Sequence, residues 1–464
     1  MEVGSSVIKK KVLIGDGFEL KYEDLGVVVG KYVAFLRNFL SIKRGDRILA
    51  RVYKTVDSLA LYLAALRLGA IYVPVNPVYT HNEMQHYVQD SQPELLVTCS
   101  YDADSCFKKD IKYVIDAEAA VAAATVQKAL YHIEPVEEHD IACICYTSGT
   151  TGVPKGAMLS HANLIWNAKA LISLWRFSGD DVLLHCLPFY HVHGMPKFTV
   201  ESVIKYLPKS TVMMGVPTYY SRLLQSQKFN AELTKNMRLF VSGSAPMSIP
   251  LWNEFRNRTK HCILERYGMT EAAVITSNGY EKKDRIPGTV GKILPGGKLR
   301  VSHENIVEVQ LPSVFKGYWR NPEKTKSEFT SDGFFRTGDL GRIDANGNLQ
   351  ILGRGKDLII SGGLNVYPKE VEDAIDADEL IKESTVIGVP HSDFGEVVVG
   401  VCVPKSCTVT EAENRSTELI KRLRGRIANY KLPKNIIFLD ELPRNSMGKV
   451  QKNLLRKKYA NLYQ

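Results

Sequence analysis

One lysine, Lys155, sits among five hydroxyl side chains and three glycines in the run YTSGTTGVPKG, residues 146–156. That mixture suits phosphate. Gly149, Gly152 and Gly156 let backbone N–H groups approach an anion, Thr147, Ser148, Thr150 and Thr151 add hydroxyl donors, and Lys155 adds a point charge. The lysine is followed by Gly156 where a Walker-type loop carries Ser or Thr, so no hydroxyl stands there to hold Mg2+. The chemistry indicated is polyphosphate binding by a loop of another kind.

The apolar IACIC at 141–145 reads as a buried strand before this loop, and LSHANLIWNAKAL at 159–171 has helical spacing with Ser160 as its cap. The expected order is therefore strand, loop, helix. Upstream, Leu25, Val28, Val29, Tyr32, Val33, Leu36 and Phe39 recur at helical spacing, and GDRILARVY at 45–53 reads as a strand. A helix over about 58–68 ends at Gly69, strand AIYVPV follows at 70–75, and 90–99 and 112–115 give further turn-then-strand units. This alternation predicts an α/β fold: a large N-terminal domain of mixed, mostly parallel sheets with helices on both faces, binding ligands at the carboxyl ends of its strands. The texture changes after FFRTGDLGRID at 334–344. The last hundred residues read as a small α+β domain with strands at 384–389, 397–403 and 436–439, a helix over about 411–428 and another after Gly448. The division expected is 1–353 and 354–464.

With 464 residues, 45% of them hydrophobic, the chain can build two cores or more. Its longest apolar region, 59–75, is interrupted by Arg67, Gly69 and Pro74, which excludes a membrane span there. The net charge of +10 is spread out, denser only at 421–426 and 452–458, and no motif reads a nucleic-acid groove. Eight cysteines without a C-x-x-C pair point to a reducing compartment rather than a zinc or disulfide framework. The first residues carry neither a secretory apolar run nor an arginine-rich transit pattern, and NLYQ is no peroxisomal address, so cytosol or mitochondrial matrix is expected.

YTSGTTGVPKG, SGSAP, YGMTE, TGDL, GRGKD, SGGLNVYP and PRNSMGKVQKN, in this order and over nearly the whole chain, resemble the acyl-adenylate-forming superfamily of acyl-CoA synthetases, adenylation domains and luciferases. LPFYHVHG, MMGVPTYYSRLL, ILERYGMTE and FKGYWRNPEKTKSEF look most like the malonyl-CoA synthetases within it. The resemblance implies an ATP-dependent acid:CoA ligase that activates malonate or a close dicarboxylate as an acyl-adenylate and passes it to coenzyme A, releasing AMP and pyrophosphate. ATP, Mg2+, coenzyme A and the acid are its implied small-molecule partners. Thr147–Lys155 would then hold the β- and γ-phosphates. Thr270 and Glu271 of YGMTE are implied in catalysis, Glu271 as the Mg2+ ligand; Asp339 of TGDL would hold the ribose hydroxyls, with Arg354 beside it; Ser244, Ala245, Pro246 and Tyr267 would line the nucleotide. Lys449 matches the catalytic lysine that meets the α-phosphate and the attacking carboxylate. It belongs to the small, mobile domain, which is implied to turn about Lys356 so that Gly362, Gly363 and Leu364 line the pantetheine channel in the second half-reaction.

His191 and His193 fall near the acyl pocket in the resemblance, though a core position suits them equally; His193 and Met269 are taken as acyl contacts. Malonate differs from acetate by a second carboxylate, and burying it unpaired costs several kcal/mol, so a cation must meet it. Arg266, just ahead of YGMTE, is the candidate because its fork can hold a carboxylate bidentately and stays charged when desolvated; Arg238 is the alternative. One departure stands out. After Gly194 the chain runs directly into MPKFTVESV, where superfamily members carry an apolar helix and a strand. Exposed apolar neighbours and reduced stability are expected there. Two alternatives follow: the same chemistry on another small or medium-chain acid, or a nucleotide- or CoA-binding protein without turnover.

Overall fold

The structure, a computed structural model, describes residues 9–15, 17–148, 154–186, 198–362, 364–391, 393–424, 426–445 and 448–463. Gly149, Thr150, Thr151, Gly152, His191, His193 and Gly363 lie outside that set, as do the side chain of Ser148 and the junction after Gly194.

Six strands form the first sheet, in the order Tyr113–Asp116, Leu95–Thr98, Arg47–Arg51, Ile71–Pro74, Ile141–Ser148, Pro154–Ser160. The first five run parallel. Their apolar runs are buried on both faces, as helices on either side of a parallel sheet require. The intervening helices start where the side chains dictate: Thr55 caps Val56–Arg67, Thr80 and Glu83 make a reciprocal box for His81–Ser91, and Ser160 and Asn163 do the same for His161–Leu174.

The phosphate loop departs from expectation. It joins Ile141–Ser148 to the antiparallel Pro154–Ser160, with Thr147 opposite Lys155, and the helix begins only at His161. The loop is thus the turn of a hairpin, not the entry to a helix, so hydroxyls and Lys155 replace the helix N-terminus as the source of positive potential. The cause is non-local. Pro154–Ser160 finds a second partner in the 316–319 stretch, through Met158 N–H to Gly317 O at 3.0 Å and Trp319 N–H to Gly156 O at 2.7 Å.

A second six-stranded sheet runs Lys292–Ile293, Ala273–Ser277, Leu264–Met269, Leu239–Ser242, Val212–Gly215, Leu183–His185, its last four strands parallel. Among the described residues Leu183–His185 is an edge of this sheet. An antiparallel third sheet, Lys298–Val301, Ile306–Gln310, Phe335–Ile343 and Leu349–Arg354, ends the large domain. Arg354, expected to open the small domain, is instead the last residue of that sheet's final strand.

The small domain builds its own core on Ile381–His391, Gly395–Pro404 and Asn435–Phe438. The single helix expected over 411–428 is two shorter ones, Val409–Glu413 and Ser416–Leu423. Among the described residues no helix is long and apolar enough to cross a membrane.

Candidate active site

The phosphate hairpin presents Thr147 and Lys155 toward the turn after Leu264–Met269, where Thr270 is half-buried and Glu271 buried. Thr147 Oγ1 donates to Glu271 Oε1 at 3.3 Å, and Tyr318 OH donates to the same oxygen at 3.0 Å. Both of these side-chain bonds fall on Oε1, so among the described residues no side chain donates to Oε2. Burial pushes the Glu271 carboxyl up, while its own backbone, Tyr318, Arg354 and Thr147 pull it back toward ionisation. Lys155 Nζ lies 5.6 Å from the Tyr318 ring centre, and burial followed by Lys324 lowers its pKa. A buried carboxylate with one oxygen left over, among hydroxyls and no nitrogen or sulfur ligand, fits Mg2+, which takes one or two carboxylates plus substrate phosphates.

Asp339 and Arg354 face each other across adjacent antiparallel strands. Arg354 Nε reaches Asp339 Oδ1 at 2.8 Å, and Tyr267 OH donates to Oδ2 at 2.5 Å. The small domain touches the large one at the Gly448 turn. Gly448, at φ +72°, is pressed so close to the start of helix Pro217–Leu224 that an added Cβ would lie 2.9 Å from Thr218 Oγ1. Asn445 holds the turn, its N–H donating to Lys449 O at 2.9 Å and its Oδ1 accepting from Lys449 N–H at 3.0 Å. Lys449 keeps an exposed surface at the mouth of the cleft, yet the crowding there, then Arg354, lowers its pKa, with Asp339 and Asp357 acting in the opposite sense. Electrostatic influence thus runs from Lys155 to Glu271, from Glu271 to Arg354, and from Arg354 and Asp339 to Lys449.

Arg266 is 9% exposed on the strand Leu264–Met269, next to the end of Leu239–Ser242. Burial lowers its pKa to about 10, so it remains a cation at neutral pH. Its guanidinium lies against Gly243, where an added Cβ would come within 2.6 Å of Nε. Ser244 then takes a left-handed conformation, φ +67°, and starts the segment Ser244, Ala245 and Pro246. Met269 ends the arginine's strand and packs on the main core.

Arg238 does not join the group. Asp181 takes its fork, Nε to Oδ1 at 2.6 Å and Nη2 to Oδ2 at 2.5 Å, and Nη1 donates to Trp175 O at 2.9 Å. That geometry fastens the strand Leu239–Ser242 to the segment before Leu183–His185. Two residues escaped the sequence reading. Tyr318 is one, since its hydroxyl reaches Glu271 from a stretch read only as part of a phrase. Lys54 is the other: its Nζ lies 2.8 Å from His185 Nδ1, and burial lowers the lysine to about 7 and, with the lysine's help, the histidine to about 3. Nothing in the spacing of either residue betrays a partner more than forty positions away.

Lys356 lies exposed on the single turn Gly355–Asp357 between the two domains, where Arg456 Nη2 reaches Asp357 at 2.8 Å. Gly362, at φ +56°, and Leu364 belong to the hairpin of Ile359–Ser361 and Leu364–Val366. Leu364 is 49% exposed.

A model of the AMP-binding enzymes matches residues 5–201 and 195–319, two stretches that meet where the sequence is short, and a model of the AMP-binding enzyme C-terminal domain matches 370–449. A probable CoA ligase of Humulus lupulus is 36% identical over an alignment of 384 positions that covers 71% of this chain; the chain spans 63% of that relative's length. A malonate–CoA ligase of Arabidopsis thaliana is 32% identical over 479 residues, covering 90% of this chain and 79% of that protein. Among solved structures, ATP-bound MatB from Rhodopseudomonas palustris is 43% identical and superposes with a TM-score of 0.92, covering 97% of this chain and 95% of that one. Its apo form, 42% identical over 99% and 97% of the two chains, superposes with 0.82.

Proposed function

This chain belongs to the AMP-binding enzyme family, and we propose that it is an ATP-dependent acid:CoA ligase that activates malonate, or a close dicarboxylate, as an acyl-adenylate and transfers it to coenzyme A, releasing AMP and pyrophosphate. The observation that carries this reading is the Gly448–Lys449 turn of the small domain packed against the start of helix Pro217–Leu224, with Lys449 in the field of Arg354 and Asp339. A lysine brought in on a separate domain beside a phosphate hairpin supplies charge for one step and can leave for the next.

In this reading Thr147 and Lys155, with Ser148, Gly149, Thr150, Thr151 and Gly152, hold the β- and γ-phosphates. Asp339 accepts from the ribose hydroxyls while Arg354 and Tyr267 orient its carboxylate; Ser244, Ala245 and Pro246 line the base. Glu271 would hold Mg2+ through Oε2, and the ion when bound would offset phosphate charge. Lys449 stabilises negative charge gathering on the α-phosphorus as the carboxylate oxygen attacks it. Arg266 meets the second carboxylate, beside Met269 and His193. The better superposition on the ATP-bound than on the apo form of MatB supports an adenylation pose. Turning about Lys356 in Gly355–Asp357, where we place the domain boundary, would bring in Gly362, Gly363 and Leu364 for the thioester step. The name of the Arabidopsis relative supports malonate, and Arg266 supplies the physical reason. All eight cysteines are thiols, which suits cytosol or mitochondrial matrix.

Purified protein given ATP, Mg2+, coenzyme A and a panel of acids, with AMP measured, tests the reading. Malonate should give the fastest release. A faster monocarboxylate would move the assignment to another acyl-CoA synthetase, and no AMP with any acid would leave a binding protein without turnover.

A further inference from the structure

We propose that Tyr318 is a positioning residue that couples the phosphate-holding lysine to the metal-holding carboxylate, its hydroxyl fixing Glu271 and its ring carrying Lys155. The inference rests on the function just proposed and extends it to a residue outside the loop and the YGMTE turn.

Four backbone hydrogen bonds hold the segment bearing Tyr318. Phe315 N–H donates to Glu271 O at 2.7 Å, Lys316 N–H to Met158 O at 2.9 Å, Met158 N–H to Gly317 O at 3.0 Å, and Trp319 N–H to Gly156 O at 2.7 Å. The strap is thus sewn to both partners, the Glu271 turn at one end and the strand of Lys155 at the other. Tyr318 N–H donates to Thr325 Oγ1 at 2.9 Å, and Gly317 takes φ +130° with its α-carbon facing Thr325, where a Cβ would come within 2.6 Å of Cγ2. Phe315 packs edge-on against the Tyr318 ring at 4.8 Å. The ring's place is therefore set by backbone and packing, independently of its hydroxyl.

Two separable effects follow. The hydroxyl donates to Glu271 Oε1 at 3.0 Å and so fixes the orientation of the carboxylate. The ring face lies 5.6 Å from Lys155 Nζ, near enough to hold the ammonium by cation–π attraction against its own burial. A side chain that orients a metal ligand typically changes metal affinity about 10–100-fold when removed. Tyr318→Phe removes the first effect and keeps the second; Tyr318→Leu removes both.

The test is binding, with Mn2+ as a paramagnetic probe of the enzyme complexed with a non-hydrolysable ATP analogue, followed by titration of the analogue alone in chelator. Tyr318→Phe should weaken Mn2+ binding by at least ~10-fold and leave metal-free nucleotide affinity unchanged. In turnover, half-saturating Mg2+ should rise with little change in KM for the acid. Tyr318→Leu should also weaken the metal-free nucleotide. Wild-type protein that binds no metal–nucleotide complex would overturn the proposed function itself. Normal wild-type binding with equal Mn2+ affinity in a folded Tyr318→Phe would overturn only the role given to Tyr318.

Discussion

Arg354 and Asp339 occupy opposed positions on adjacent antiparallel strands, and their side chains meet, Nε to Oδ1, at 2.8 Å while Tyr267 holds the other carboxylate oxygen. The carboxylate is buried, and it contributes charge as well as shape. Asp339→Asn keeps an acceptor for Tyr267 but leaves Arg354 without its counter-charge, a loss of about 2 kcal/mol for a hydrogen bond to a charged group. Calorimetry should show ATP-analogue affinity falling by at least ~10-fold, with a lower melting temperature. Unchanged affinity would remove Asp339 from the nucleotide site.

Arg266 and Gly243 make the substrate assignment testable from two sides. Arg266→Leu should cut kcat/KM for malonate by ~100-fold, the ~2.7 kcal/mol scale of losing one partner of a desolvated charge pair, and spare propionate. Gly243→Ala places a Cβ against the guanidinium, so the fork must shift; malonate activity should again fall more than propionate activity. Equal losses on the two acids in both variants would make Arg266 a scaffold residue.

In the proposed function Lys449 serves only one of the two half-reactions. Lys449→Ala should abolish adenylate formation while largely sparing thioester formation from supplied malonyl-adenylate, because its charge matters only while phosphorus is under attack. Parallel loss of both half-reactions would contradict a domain that works in two positions.

Glu265 gives a pH dependence of stability. Burial, opposed by the Gly288 N–H and Lys369, pushes its carboxyl from 4.5 up to about 8, with Asp373 adding to the rise. A carboxyl whose folded pKa exceeds its unfolded one binds its proton more tightly when folded, so its stabilisation is complete below the ordinary carboxylate range and is lost as pH rises through about 8. Glu265→Gln keeps an acceptor for Gly288 N–H, 3.2 Å away in the wild type. Its melting temperature should fall less than that of the wild type between about pH 5 and pH 8.5. Identical slopes would show that Glu265 does not titrate in this range. Asp376, pushed up to about 7 by burial, contributes a residual slope of the same sign to both proteins.

What the sequence disclosed was local. Ser160 declared its own helix cap, and the β–α alternation before it implied a parallel sheet. The order of motifs then predicted the family. The hairpin form of the phosphate loop was hidden because its second strand is held by residues 316–319, far along the chain. Arg238 misled for the same reason, since Asp181 lies 57 positions before it and only folding joins them. Tyr318 reaches Glu271 across 47 positions. Charge pairs and hydroxyl–carboxylate contacts carry no periodicity, so their partners become visible only when strands are in register.

The most direct measurement follows one atom. If malonate's own oxygen attacks the α-phosphorus in this cleft, 18O-labelled malonate with ATP and coenzyme A must give AMP carrying one heavy oxygen per turnover, with malonyl-CoA formed in equal amount. Mass spectrometry of the AMP reads this without assumption about rates. The account predicts labelled AMP and unlabelled pyrophosphate; unlabelled AMP, or ADP as the nucleotide product, would contradict it.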